Sequence, residues 1–218
     1  DGMRRSRFPL LLPLVIFLSG FTALLYEVAY TRVLALLLGP TVYAFSLMLT
    51  AFISGLALGS RLLASRSDRW ILAANTAGAV SGALLTGFLF IPNVGTERTF
   101  WIGIGLNAGI GLLLLLQLSK RWSLRLGLGM GIPGLFLLIL ALLPRWDVER
   151  LSAGLYKYAP YYADVDADVI AHRGDLLYYR EGARATVAVR RVGEEHQLSL
   201  DGKVDASDGG ADMLTQKL

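Results

Sequence analysis

Hydrophobic residues fall in long unbroken runs over the first two thirds of the chain and in short alternating runs over the last third. From Phe8 to about Leu38 the only charges are Glu27 and Arg32. Charge-free stretches follow at Thr41–Ser60, Trp70–Pro92, Phe100–Leu118 and Leu126–Pro144, each of 19 to 23 residues. About twenty helical residues at 1.5 Å each match a hydrocarbon layer of about 30 Å, so the pattern predicts five membrane-spanning helices. Small residues recur four apart inside them: Gly78 with Gly82, Ala83 with Gly87, Gly105 with Gly109, Gly127 with Gly131. In lipid that spacing lets helix backbones approach closely, which predicts a packed bundle over 1–144.

Beyond Trp146 the period changes. Residues 145–174 read as a polar connecting segment with about two short helices. Strand patterns then begin: 175–182, then 183–192, in which Val187 and Val189 oppose Thr186, Ala188 and Arg190, then 196–200 with Leu198 and Leu200 facing inward. Gly193-Glu194-Glu195 is the expected turn, residues 201–210 read as turn chemistry, and 211–218 as the start of a helix. The expected fold is an α-helical transmembrane bundle of about five spans followed by a small antiparallel β domain over 175–218. The chain opens Asp1-Gly2-Met3 and reaches Leu218 inside that last helix, which reads as a fragment of a longer protein.

Composition agrees with the runs. Apolar residues are 54% of the 218, 24 glycines come on top, and charged residues are 17%, against about 25% in soluble domains. Without cysteine, disulfides, thiolate metal sites and cysteine nucleophiles are excluded. Residues 1–144 carry eleven Lys/Arg and four Asp/Glu, net +7; residues 145–218 carry ten and thirteen, net −3. The basic excess sits at Arg4, Arg5 and Arg7, at Arg61, Arg66 and Arg69, and at Lys120, Arg121 and Arg125. It lies between apolar runs, as the positive-inside rule places it, and forms no nucleic-acid stripe. Those loops read as cytoplasmic, and five spans then put residue 145 onward on the opposite side. The expected location is the membrane, a bacterial inner membrane, with the bilayer as first partner and homo-oligomerisation left open.

Candidate chemistry is sparse. Ionisable Glu27 and Arg32 inside the first run are functional candidates by default, or interfacial residues that each need a separate partner, since a five-residue spacing does not stack them. Asn75 and Asn107 are expected to hydrogen-bond between helices. Gly129-x-Gly131-x-x-Gly134 has dinucleotide-loop spacing but lies within an apolar span and contains Pro133, so packing is the reading. His172, with Asp164, Asp166, Asp168 and Asp175 nearby, matches no metal spacing. No metal ligand set and no catalytic residue is assigned.

Two stretches together carry a family resemblance. SGFTALLYEVAYTRVLALLLGPTVYAFSLMLTAFISGLALGS (19–60) and AANTAGAVSGALLTGFLFIPNVG (73–95) resemble the membrane part of membrane-fused spermidine synthase-like proteins. LLYYREGARATVAVRR (176–191) and LSLDGKVDASDGGADMLTQKL (198–218) resemble that family's small β domain. The resemblance implies a following Rossmann-like domain, absent from these 218 residues, that would bind decarboxylated S-adenosylmethionine and carry the catalytic acid. It implies that the chain is the membrane anchor and β lid of an aminopropyltransferase of polyamine biosynthesis, not catalytic alone. It places Asp201, Asp205 and Gln216 on the wall facing a polyamine or other cationic amine. Soluble members carry a glutamine where Asp205 stands, another where Ala185 stands, and a Tyr-His pair at Thr215-Gln216, which points to a different acceptor. The alternative is a transporter-like membrane protein with a non-catalytic β appendage, built around Glu27 and Arg32.

Overall fold

The computed structural model describes residues 8–63, 69–119, 121–162, 164–210 and 212–213. It is mostly helical, with one small sheet. The long helices are α1 (Phe8–Leu38), α2 (Val42–Leu63), α3 (Arg69–Leu85), α5 (Thr96–Leu118) and α6 (Trp122–Leu142). A π-helical turn at Thr86–Phe90 carries α3 into α4 (Ile91–Val94).

Four segments among the described residues are long and apolar enough to cross a membrane: Leu11–Leu38, Trp70–Val94, Thr96–Gln117 and Trp122–Leu142. The sequence pattern predicted five. In the second, α2, only Phe45–Gly55 stands out as a shorter apolar helix. The outward faces of the bundle are apolar: α6 has no buried residue, and Met130 is 76% exposed.

Glycine sets the helix packing. A Cβ on Gly78 would lie 1.9 Å from the Phe17 carbonyl oxygen, and one on Gly82 would lie 2.2 Å from that of Phe21. Gly20 makes the reciprocal contact, 2.2 Å from the Asn75 carbonyl oxygen. These pairs put α1 and α3 backbone to backbone, running in the same direction. Two parallel neighbours joined in sequence require the chain to return between them, so α2 retraces the length of the bundle. The other small-residue pairs do not act this way: no atom approaches within 4 Å of a Cβ built at Gly109, Gly127 or Gly131. The Gly129–Gly134 pattern lies inside α6, with open space at its glycines.

Helix α5 runs back along α1, with Gly103 against Leu25 and Tyr26. Helix α6 packs on α5 through Phe136, edge-on to Trp101 at 6.2 Å between ring centres.

Among its described residues the connecting segment holds three short helices where about two were expected: α7 (Val148–Ser152), α8 (Leu155–Tyr158) and α9 (Ala167–Ala171), with a 3₁₀ turn at Ala159–Tyr162. Asp147 caps α7, accepting the Glu149 and Arg150 N–H groups, and Asp166 caps α9 through the Asp168 N–H.

The sheet is a four-stranded antiparallel meander: β1 (Asp175–Glu181), β2 (Thr186–Val192), β3 (Glu195–Leu200) and β4 (Lys203–Ser207). The fourth strand lies where turn chemistry was expected. Asp201-Gly202 alone makes the turn, both residues at positive φ (48° and 82°), which is the Asp-Gly pairing of a type I′ hairpin. Helical structure begins at Gly210 and is described as far as Met213.

The inward face of the sheet is the reverse of the expected one. Thr186, Ala188, Arg190 and Ser199 are buried, while Leu198 and Leu200 are 37% and 36% exposed. The three short helices cover the small and polar side. Val187 pairs with Leu200 and Val189 with Leu198 on the open side, beside Tyr178.

Candidate functional site

Three groups of side chains carry the available chemistry. The first joins the sheet to the bundle. Gly95 (φ 88°) ends α4 and precedes α5, so the N-terminal amides of α5 are free to bond outside the helix. Glu181, the last residue of β1, fills that position: its carboxylate accepts the Thr96 N–H at 2.7 Å and the Thr96 hydroxyl. The helix dipole favours an anion there. Tyr179 donates to the other Glu181 oxygen at 3.2 Å, and burial with the adjacent carboxylate pushes the Tyr179 phenol strongly up, so it stays protonated. On the neighbouring helix, Arg32 donates to the Gly182 carbonyl at 2.7 Å. Phe100 meets Tyr30 edge-on at 4.7 Å between ring centres and Trp146 at a tilt, 5.5 Å away.

The second group lies at the β3–β4 turn. Asp201 is spent on structure: its Oδ1 accepts the Thr186 N–H at 2.8 Å, and its carbonyl accepts the Tyr156 hydroxyl. Asp205 lies on β4 and pairs with the Lys203 ammonium at 2.6 Å, raising the Lys203 pKa. The Tyr158 hydroxyl accepts the Val204 N–H nearby. Gln216 lies outside the described residues.

The third group is within the bundle. Asn107 on α5 accepts from the Thr22 hydroxyl at 3.0 Å and donates to the Tyr26 hydroxyl at 3.4 Å, a bond between helices as its position predicted. Asn75 serves as a backbone surface for Gly20. Glu27 is half-buried, and its carboxylate has no hydrogen-bond or ion-pair partner among the described residues. Glu27 and Arg32 do not pair: Arg32 serves the sheet junction instead.

The histidines are exposed and bonded to acids. His172 bonds through Nε2 to Asp147 at 3.3 Å, and His196 through Nδ1 to Asp208 at 2.8 Å. Among the described residues no three His, Cys, Asp or Glu side chains are grouped to hold a metal.

Sequence reasoning missed Glu181 and Arg190. No local pattern marks a carboxylate at the end of a strand as the cap of a distant helix. Arg190 did carry a signal, because it is the one charge on the face shared by Thr186 and Ala188.

No family model matches the chain, and neither does any curated protein or solved structure.

Proposed function

We propose that the chain is the membrane-embedded part and β lid of a spermidine synthase-like aminopropyltransferase, contributing a wall to an active site completed by a separate catalytic domain. Four apolar helices and α2, as the fifth span, would anchor it in a bacterial inner membrane. That catalytic domain would bring decarboxylated S-adenosylmethionine; this chain would bind and orient the amine acceptor. The observation that carries the reading is the uncovered apolar face of the sheet. Tyr178, Leu198 and Leu200 are each more than a third exposed there, while the opposite face is closed by α7–α9. A sheet held rigidly at the helix ends by Glu181 and Arg32, with one apolar face open, suits a lid that closes on a second domain.

Asp205 is the residue proposed to meet the amine. The ammonium of Lys203 already sits 2.6 Å from its carboxylate, and a polyamine terminus is the same chemical group. Titration calorimetry of spermidine into the purified chain tests this. Lys203→Ala is expected to tighten binding and Asp205→Ala to weaken it about tenfold, the worth of one charge-assisted hydrogen bond. Unchanged affinity in Asp205→Ala sinks the role.

The second reading is a transporter-like protein, favoured by the carboxylate of Glu27, which has no partner among the described residues and lies on the same helix as Thr22 and Tyr26 of the Asn107 bonds. The two readings differ in where the sheet sits. Arg69 and Arg121 lie at the bundle end opposite the sheet, which the positive-inside rule assigns to the cytoplasm, whereas a cytoplasmic donor requires the sheet inside. Because the chain has no cysteine, Glu194→Cys in the exposed β2–β3 turn provides a single label. Reaction with an impermeant maleimide in intact cells favours the transporter; protection until lysis favours the lid.

A further inference from the structure

The covered face of the sheet is not fully packed. A cavity of about 300 Å³ lies between it and the short helices. Arg190 of β2 forms its floor and is 8% exposed. The guanidinium donates to the carbonyls of Ala171 (2.9 Å) and Glu149 (2.5 Å) and to the Ser152 hydroxyl (3.1 Å). None of these hydrogen-bond partners is an anion, and the Glu149 and Asp147 carboxylates act on the guanidinium only through space. Its Nε has no partner at all among the described residues. A buried guanidinium without a bonded carboxylate and with an orphan donor is costly, by several kcal/mol before compensation.

The cavity beside it adds no compensating negative charge from its described lining. Arg173 also lines it, Ser199 and Gln197 add polar groups, and among the described residues no acidic side chain does. Val192, Val204 and Ile170 make the rest of the wall apolar. Two arginines, neutral donors and an apolar flank, with no carboxylate among the described lining residues, suit one ligand chemistry.

We propose that this cavity binds a small organic anion, a carboxylate or phosphate head on an apolar body, with Arg190 and Arg173 meeting the charge. The site is distinct in sign from the Asp205 corner, so it stands whether or not an amine binds there.

The test uses the full chain reconstituted in nanodiscs, with thermal unfolding as readout. The probes are phenyl phosphate and 3-phenylpropionate, with 3-phenylpropan-1-ol as the uncharged match. A saturable rise in midpoint with either anion, and none with the alcohol, is expected; which anion acts identifies the head group. Arg173→Gln should weaken the response about tenfold, as loss of one charge-assisted bond does. Arg190→Gln risks the fold, so Val192→Phe, which fills the cavity and leaves both arginines, is the second variant and should abolish the response. The proposal is overturned if neither anion gives a saturable shift, if the alcohol shifts the midpoint equally, or if Val192→Phe responds as the parent does. Those outcomes would leave a cavity filled by water.

Discussion

The bundle and the sheet are held together by opposite means. Between α1 and α3 the contact is backbone on backbone, made possible by the absence of side chains at Gly20, Gly78 and Gly82. Few side-chain hydrogen bonds cross between these helices, and their outer faces remain apolar. In the sheet and its short helices, placement depends on named polar bonds: Asp147 and Asp166 as caps, Asp201 on Thr186, Arg190 on three acceptors, Glu181 on Thr96. In the proposed membrane, where no water competes, close van der Waals approach is the available glue; in water, specific polar geometry fixes the arrangement. A substitution that is harmless in one region should therefore be disruptive in the other.

The largest effect is expected from filling the α1–α3 contact. Gly78→Leu must push the helices apart and should cost about 1–3 kcal/mol in an unfolding titration, the usual range for overpacking. Gly127→Leu, with nothing within 4 Å of its Cβ position, should be close to neutral. Equal loss in both would refute glycine as the packing device.

Gly154→Ala comes next, on the other side of the comparison. Gly154 has φ 63°, and a Cβ there would lie 1.9 Å from the Gly202 carbonyl oxygen. Strain and clash together should cost roughly 1–3 kcal/mol, read as lost protection of sheet amides in hydrogen exchange. Exchange in α1 and α3 should be unaffected.

Glu181→Gln should loosen the junction by about 1–2 kcal/mol, since a charge-assisted bond becomes a neutral one at a helix N-terminus. The Thr96 amide should exchange faster, while the sheet itself stays intact.

The smallest effect is one of pH. His172 has its pKa raised from 6.5, first by its bond to the Asp168 carbonyl and then by the Asp147 charge. A raised histidine stabilises the fold below 6.5 and loses that contribution as pH climbs through the folded value. Asp147 has its pKa lowered from 3.8 by the α7 amides, so its contribution is lost on the acid side, below 3.8. The short-helix segment should be most stable between these limits, and His172→Asn should flatten the alkaline arm most and soften the acid arm too, since His172 also helps to lower Asp147. An unchanged arm in that variant would show that the pair contributes nothing.

The same contrast explains what the sequence made legible. Long apolar runs mark helices directly, and the first expected span coincides with α1 from Phe8 to Leu38. The Gly78/Gly82 spacing was readable as a contact. Identical spacing at Gly127/Gly131 predicted a contact as well and makes none, because only the partner helix decides which small stripe is used. In the sheet, alternation gave the strands but inverted the faces. Valine and leucine signal burial only if something lies against them, and here α7–α9 lie against Thr186, Ala188 and Arg190 instead. Asp-Gly at 201–202 announced a turn correctly, but Lys203–Ser207 was too short and polar to declare itself a strand. The candidate residues fared by the same logic: Asp201 went to its turn, Arg32 to the Gly182 carbonyl, and Glu27 has no side-chain partner among the described residues.

Helix α1 has one further property. Its 31 residues reach about 46 Å at 1.5 Å each, well beyond a hydrocarbon layer of about 30 Å. Arg32 sits about 36 Å along it, so in the proposed membrane the sheet is carried on a rigid post that clears the acyl chains. Height and heading on such a post are geared together. One residue inserted before Arg32 would raise the sheet by about 1.5 Å and swing it by about 100°, while four would lift it about 6 Å and bring it nearly back to its original bearing.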